Sequence, residues 1–248
     1  MINVGRCSLV TAYVLVNFNI MYGVIQLFMV LFAYTFGLQV GNYIFLLHDL
    51  FFTLVLGLCI SNSPPAPVLS KNIPPLRFFC PQLICKLIFQ LITFPAFQAI
   101  GLVSLYEQPW YKMYKAPYSI ESLDDLTQYS HENTVLAIIG LAQLMIASIV
   151  ASIDEPFRVA WYKNKFHLSA FFFQIIFLCY MLFSDEDPFL EVLQIKPLKT
   201  ADFRWAIFFL IIANLAFSLA LNNLAHNERF LSMITNMLDS ISSHLKLK

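Results

Sequence analysis

Among the polar side chains of this sequence, Asp49 has the clearest capacity for chemistry, because it is the one carboxylate that we place inside a long apolar run. In lipid, a charged carboxylate needs a cation, a set of hydrogen-bond donors or water around it, and an uncharged one must keep its proton. A bound and transported cation would meet the first need. The alternative is that Asp49 bonds to a neighbouring helix and only holds the helices together.

Three further polar residues lie where they can share a site with Asp49. Tyr22 and Gln26 are four residues apart in one apolar run, and Asn42 lies seven residues before Asp49 in the next, so each pair shares a helix face. The connector is short, so the two helices are antiparallel neighbours, and Gln26 and Asp49 both lie roughly 10–14 Å inside the outer ends. We therefore predict that Tyr22, Gln26, Asn42 and Asp49 bind a substrate. The alternative is that the tyrosine and the amides only bond one helix to another.

Other kinds of site are not indicated by the sequence. It contains no Walker loop, no GxGxxG, no HExxH and no GxSxG motif. Cys80 and Cys85 lack the spacing of zinc ligands, so the five cysteines are interpreted as small buried hydrophobes. His48 points about 100° away from Asp49 on a helix and is interpreted as a packing residue. We predict no catalytic residue and no metal site.

The elements that must position these residues are membrane-spanning helices. The chain has 248 residues, of which 59% are hydrophobic and 12% charged, and its mean hydropathy is +0.70, so lipid must be its main solvent. The net charge is zero, which gives no support to a nucleic-acid partner. Period-2 alternation is absent, so helices are favoured over a barrel. We predict an all-α membrane protein, a six-helix transmembrane bundle with spans at about 8–35, 42–60, 79–105, 132–153, 166–184 and 204–224.

The basic residues predict the orientation of this bundle. One set of flanks holds nine of the fifteen lysines and arginines, and the opposite loops hold five. This bias places both termini in the cytosol. We divide the chain into a bundle at 1–225 and a tail at 226–248, whose apolar residues recur at helical spacing and predict an amphipathic helix on the cytosolic side.

Five short motifs, in this order, resemble type-V P-type ATPases. Residues 5–11 (GRCSLVT), followed by an apolar helix, resemble the start of the fifth membrane helix of that family, and residues 47–50 (LHDL) resemble part of the sixth. Residues 108–111 (QPWY) resemble a tetrapeptide after the seventh helix, and residues 132–135 (ENTV) the start of the eighth. Residues 156–158 (PFR) resemble the loop after it. The QPWY and ENTV matches favour the B subgroup, and the resemblance covers nearly the whole chain.

This resemblance implies both a fold and an activity. The fold is that of helices five to ten, the C-terminal half of a P-type transport domain. The activity of the subgroup is export of polyamines from late endosomes and lysosomes, so an endosomal, lysosomal or vacuolar membrane is expected. The tyrosine, glutamine and aspartate of the family's conduit match Tyr22, Gln26 and Asp49. A second acid of the family is Asn42 here, and a lysine is Asn17, which removes charge from the conduit.

The same family hydrolyses ATP, with magnesium, in domains that this sequence does not include. It contains no DKTGT phosphorylation segment, so we expect that the chain does not hydrolyse ATP by itself and needs no cofactor of its own. We interpret it as a fragment or separately encoded half of a cation- or polyamine-transporting ATPase, whose partners include the missing N-terminal half. The alternatives are a non-catalytic subunit or regulator of a full-length homologue, and an ATP-independent carrier.

Overall fold

The computed structural model of the chain describes residues 1–71, 74, 81–113, 129–152, 156–225, 227, 230 and 232. Within that part, six helices are long and apolar enough to cross a membrane. The predicted all-α membrane bundle is therefore confirmed. The predicted tail, 226–248, and the cysteine at position 80 lie largely or wholly outside the described residues.

Within the described residues, seven α-helices and one π-helical segment make up the spans, and two short pieces, one 3-10 and one α-helical, lie between them. The second span, Asn42–Ser61, is assembled from two α-helices joined by a π-helical segment. The α-helices are α1 (Ile2–Thr35), α2 (Asn42–Leu46), α3 (Val55–Ser61), α4 (Pro81–Tyr106), α5 (His131–Ala151), α6 (Lys165–Phe183), α7 (Pro188–Val192) and α8 (Ala201–Ala225); the π segment is Leu47–Leu54.

Two helices begin earlier than the spans predicted from the sequence, and a polar side chain near each start has a hydrogen-bond partner. In α1, which begins at Ile2 rather than at residue 8, the Ser8 hydroxyl donates to the Val4 carbonyl at 3.0 Å. In α8, which begins at Ala201 rather than at residue 204, the Arg204 guanidinium donates to the Leu198 carbonyl and to Asp185, at 2.7 and 2.8 Å. Charge and polarity near a helix end therefore did not mark where the helix begins.

α5 is the central helix of the bundle. It contacts α1, α4, α6, α8 and the π segment. Of the residues in its most apolar stretch, 94% are buried within the protein. Its sequence is apolar around the whole circumference, as expected of a helix enclosed by others. Gly140 and neighbouring alanines give it a thin profile that lets the surrounding helices approach closely.

A tight turn after α1 sets the antiparallel hairpin of the first two spans. Gly37 has a φ of 68°, the Gly37 N–H donates to the Tyr34 carbonyl and the Leu38 N–H donates to the Ala33 carbonyl, both at 3.0 Å. This is the Schellman arrangement, which requires a left-handed residue after the helix and therefore favours glycine. The buried side chains of Ala33 and Leu38 fix the direction of the return.

Two buried glutamines join α5 to its neighbours in the interior. Gln98 donates to the Gln143 side-chain oxygen at 2.9 Å and to the Ile25 carbonyl at 3.3 Å, while Gln143 donates to the Phe94 carbonyl at 2.9 Å. These bonds connect α1, α4 and α5. Hydrogen bonds of this kind hold helices together in a membrane. An apolar side chain gains little by moving from lipid to the protein interior, because both are apolar.

Candidate functional site

Asp49 accepts two hydrogen bonds from α1. The Tyr22 hydroxyl donates to Asp49 Oδ1 at 2.5 Å, and the Gln26 side-chain amide donates to the same oxygen at 3.0 Å. We call these three residues the Asp49 cluster. It joins the first two spans at one level.

The helical spacing and the short hairpin explain why these three side chains meet. Tyr22 and Gln26 are one turn apart on α1, so both side chains point to the same neighbouring helix. Asp49 follows the start of α2 by seven residues, and the turn at Gly37 folds the second span back along the first. Gln26 and Asp49 therefore lie at similar distances from the turn, one on each helix.

Asp49 lies inside the π segment. In a π segment each backbone N–H bonds to the carbonyl five residues earlier, and where the helix returns to ordinary bonding one carbonyl is passed over. Here the Phe51 carbonyl accepts a bond at 2.8 Å from the side chain of Gln174 on α6, while the backbone bond at the end of the segment is accepted by Phe52. Neither the π geometry nor the contribution of Gln174 was predicted from the sequence. The one available signal was a lone amide in an otherwise apolar stretch of α6.

The Asp49 cluster lies on an outward face of the bundle rather than in its interior. Asp49 is exposed, and Tyr22 and Gln26 are half-buried. Within the described part of the chain, no hydrogen bond to Asp49 Oδ2 is formed. A carboxylate on a lipid-facing surface is unfavourable by several kcal/mol, roughly, so this face requires a polar ligand, water or another protein segment against it.

Asn42, the fourth predicted site residue, lies away from the cluster. It is the first residue of α2 and exposed, and its seven-residue separation from Asp49 corresponds to about 10 Å along the helix axis. The structure therefore brings together three of the four predicted residues. Asn42 lies nearer the outer end of the hairpin, where a long ligand could reach it.

His48, next to Asp49, points into the protein. It is fully buried and lies against the central helix, where a Cβ on Gly140 would be 2.9 Å from the imidazole Cε1 and 3.6 Å from the Met29 sulfur. The position therefore accepts a glycine and little else. His48 fills the gap between α1 and α5 and fixes the inward side of the π segment.

The two motifs that carried much of the resemblance contact each other at the end of the bundle opposite the start of α1. The Tyr111 hydroxyl donates to the buried Glu132 carboxylate at 2.5 Å, and the Trp110 indole N–H donates to Thr200 Oγ1 at 3.1 Å. Burial and the bond to Glu132 raise the pKa of Tyr111 above its ordinary value, so its hydroxyl stays a donor at neutral pH. Glu132 lies in the first turn of α5 as a buried acid, at the helix start that the sequence predicts.

Metal binding finds no support in the described part of the chain, where no three histidines, cysteines or acids lie close enough to hold an ion. Four of the cysteines are free thiols there: Cys7, Cys59, Cys85 and Cys179. The chemistry available at the Asp49 cluster is therefore that of one carboxylate, one phenol and one amide, a set suited to an ammonium group rather than to a coordinated metal.

Comparison with known proteins gives related membrane transporters. No family model matches the chain. It is 29% identical over 230 residues to polyamine-transporting ATPase 13A3 of Macaca fascicularis, covering 86% of this chain and 18% of that protein. It is 29% identical over 160 residues to polyamine-transporting ATPase 13A2 of Homo sapiens, covering 64% and 13%. It is 25% identical over 209 residues to vacuolar cation-transporting ATPase YPK9 of Saccharomyces cerevisiae, covering 84% and 14%. The chain thus spans less than a fifth of the length of these relatives.

Proposed function

We propose that the chain forms a membrane-embedded transport portion of a P-type transporter. It is a homologue of polyamine- and cation-transporting ATPases of the B subgroup of type V. ATP hydrolysis, with its magnesium and aspartyl phosphate, is supplied in this proposal by domains outside the sequence. The relatives are named for polyamine and cation transport, and these are the substrate classes to test. The resemblance deduced from the motifs agrees with these relatives in family and subgroup.

The observation that carries the proposal is the Asp49 cluster. An organic ammonium group needs a negative charge, hydrogen-bond acceptors and, where space permits, an aromatic face. Asp49 supplies the charge, the Gln26 side-chain oxygen supplies an acceptor, and Tyr22 supplies an aromatic ring. The two donors already bonded to Oδ1 hold the carboxylate in one orientation, which lowers the entropy lost on binding.

The exposure of the Asp49 cluster indicates that its other half lies outside this chain. An intramembrane carboxylate on an outward face is stable when another polar element or a water-filled path covers it. We propose that this face abuts the remaining membrane helices of the transporter and that the substrate passes between them. Asn42, nearer the outer end, would contact the same substrate along its route.

Binding of labelled spermine to the chain in nanodiscs of zwitterionic lipid tests the proposal. We expect saturable binding to the wild-type chain. The affinity of the Asp49→Asn variant for spermine should be at least tenfold lower, because the negative charge at the site is removed. Glu191→Gln is the matched control, since it removes an acid from α7, away from the Asp49 cluster, and should leave binding unchanged. Binding that is absent, or equally affected by both variants, would overturn the proposal.

The exposed polar face also supports a second candidate, a non-catalytic subunit or regulator of a full-length homologue. In that case the face would bind to a transporter that is already intact, and it would not supply a missing half of the substrate path. Co-purification from membranes that contain a tagged full-length homologue distinguishes the two candidate functions. A subunit is recovered with the tagged homologue, whereas a transport portion associates with separate ATP-hydrolysing domains. Recovery of the chain alone would count against the subunit role.

Orientation and organelle are further parts of the proposal. The nine-to-five distribution of basic residues supports cytosolic termini, and the relatives named for polyamine or vacuolar cation transport support an endosomal, lysosomal or vacuolar membrane. Protease protection of terminal tags in sealed organelles tests the orientation. Protection of either tag would contradict it.

A further inference from the structure

We propose that Gln174 of α6 is a positioning residue for substrate binding, because its bond to the Phe51 carbonyl holds the π segment in the register that turns Asp49 towards Tyr22 and Gln26. The inference rests on the proposed function of the Asp49 cluster. It adds a residue from a third span, 123 positions away from Phe51 in sequence, to the control of that site.

Where a π segment returns to α-helical bonding, one carbonyl is passed over by the backbone N–H groups. In lipid such a group is unfavourable unless a side chain satisfies it. Gln174 is buried, and its Nε2 donates to Phe51 O at 2.8 Å. Phe51 lies two residues after Asp49, so the bond is made within the same turn of the segment. Within the described part of the chain, the Gln174 Oε1 atom has no partner, so this one donor bond is the amide's polar contact.

Loss of the Gln174 bond would change the direction in which Asp49 points. A π segment inserts one extra residue into an α-helix, and each residue of an α-helix turns it by about 100°. If the extra residue moves along the span, the residues that it passes rotate by about that angle relative to the rest. Asp49 would then leave the face that Tyr22 and Gln26 share. Gln174 therefore stabilises the one register in which the cluster forms.

A second buried glutamine attaches helices through a carbonyl outside the π segment. Gln143 makes a bond of the same type, amide to backbone carbonyl at 2.9 Å, but to Phe94 on α4, remote in sequence from the π segment. Loss of either bond should weaken the bundle to a similar extent. Only the loss of the Gln174 bond should change the environment of Asp49.

Labelling with a hydrophobic carbodiimide tests this in the full chain in nanodiscs, with Asp49 modification followed by mass spectrometry and no substrate present. In Gln174→Met we expect the labelling rate to rise about threefold or more, since Oδ1 is released from its two donors. In Gln143→Met we expect the wild-type rate and a decrease in thermal stability at least as large, since Gln143 also accepts a bond from Gln98. Equal rates in wild type and Gln174→Met would overturn the inference.

Two additions keep the outcome decisive. If Gln174→Met does not fold, Gln174→Asn keeps an amide that is one methylene too short and should give an intermediate rate; a wild-type rate there would also overturn the inference. Spermine binding to the wild-type chain is measured in parallel. Failure of that binding contradicts the proposed function, whereas an unchanged labelling rate contradicts only the role of Gln174.

Discussion

At the scale of single residues, the Asp49 cluster separates two contributions that tyrosine can make to a cation site. The Tyr22 hydroxyl donates to the carboxylate and orients it, and in the proposed function the Tyr22 ring offers a surface to the cation. Gln26 shares the first task through its bond to the same oxygen. The negative charge itself comes from Asp49.

Substitution of Tyr22 should resolve these contributions. Tyr22→Phe removes one intramembrane hydrogen bond, about 0.6 kcal/mol on average, so we expect spermine affinity to fall about threefold. Tyr22→Leu also removes the aromatic face and should reduce affinity further, by roughly another 0.5–2 kcal/mol. Titration of spermine binding to the variants in nanodiscs measures both. Equal losses in the two variants would show that the ring makes no contact with the ligand.

At the scale of elements, the sequence predicted the six helices and the level at which the first two spans meet. The stripe of Tyr22 and Gln26 and the short connector were sufficient, because helical spacing and hairpin length are local properties. The π segment could not be predicted in the same way. It depends on Gln174, which lies far along the chain, and on the fit of His48 against Gly140.

Hydropathy also could not distinguish the enclosed helix from the peripheral ones. The α5 span has a mean hydropathy of 2.3 and is 94% buried, whereas the α8 span has 2.0 and is 17% buried. In a membrane both lipid and protein interior are apolar, so the same composition suits either environment. The exposed position of Asp49 was missed for a related reason, since a polar stripe shows which residues share a face but not what covers that face.

Glycine substitutions test how the central helix supports the π segment. A Cβ at Gly140 would lie 2.9 Å from His48 Cε1, whereas Gly57 of α3 has nothing within 4 Å. We expect Gly140→Ala to destabilise the chain by roughly 1–3 kcal/mol and to reduce spermine binding, because His48 and the adjoining Asp49 must shift. Gly57→Ala should be neutral or slightly stabilising. Thermal unfolding in detergent measures the difference, and equal midpoints would contradict it.

At the scale of the whole molecule, the proposal makes the bundle one half of a binding site. Three groups suited to an ammonium ion lie on one outward face, and the sequence contains no segment for phosphoryl transfer. A pump must couple a chemical step to movement of helices around the site. In the proposal, the transport portion acts together with ATP-hydrolysing domains outside this sequence.

Reconstitution tests this at the same scale. In liposomes that contain the chain alone, without nucleotide, we expect labelled spermine uptake no greater than in protein-free liposomes, because an incomplete conduit offers no continuous polar path. Uptake that saturates with spermine and is lost in Asp49→Asn would contradict this expectation and support an ATP-independent carrier.

The enclosure of α5 has a consequence for how the protein is made. α5 is the fourth of the six spans that the structure describes in this sequence, and α6 and α8, which cover part of its surface, are synthesised after it. Until they arrive, that surface must be tolerated by acyl chains, and a mean hydropathy of 2.3, the highest of the six spans in the described chain, meets this condition. A helix whose mature surroundings are protein thus retains the composition of one that meets lipid, since each newly inserted span must persist in the bilayer before its neighbours surround it.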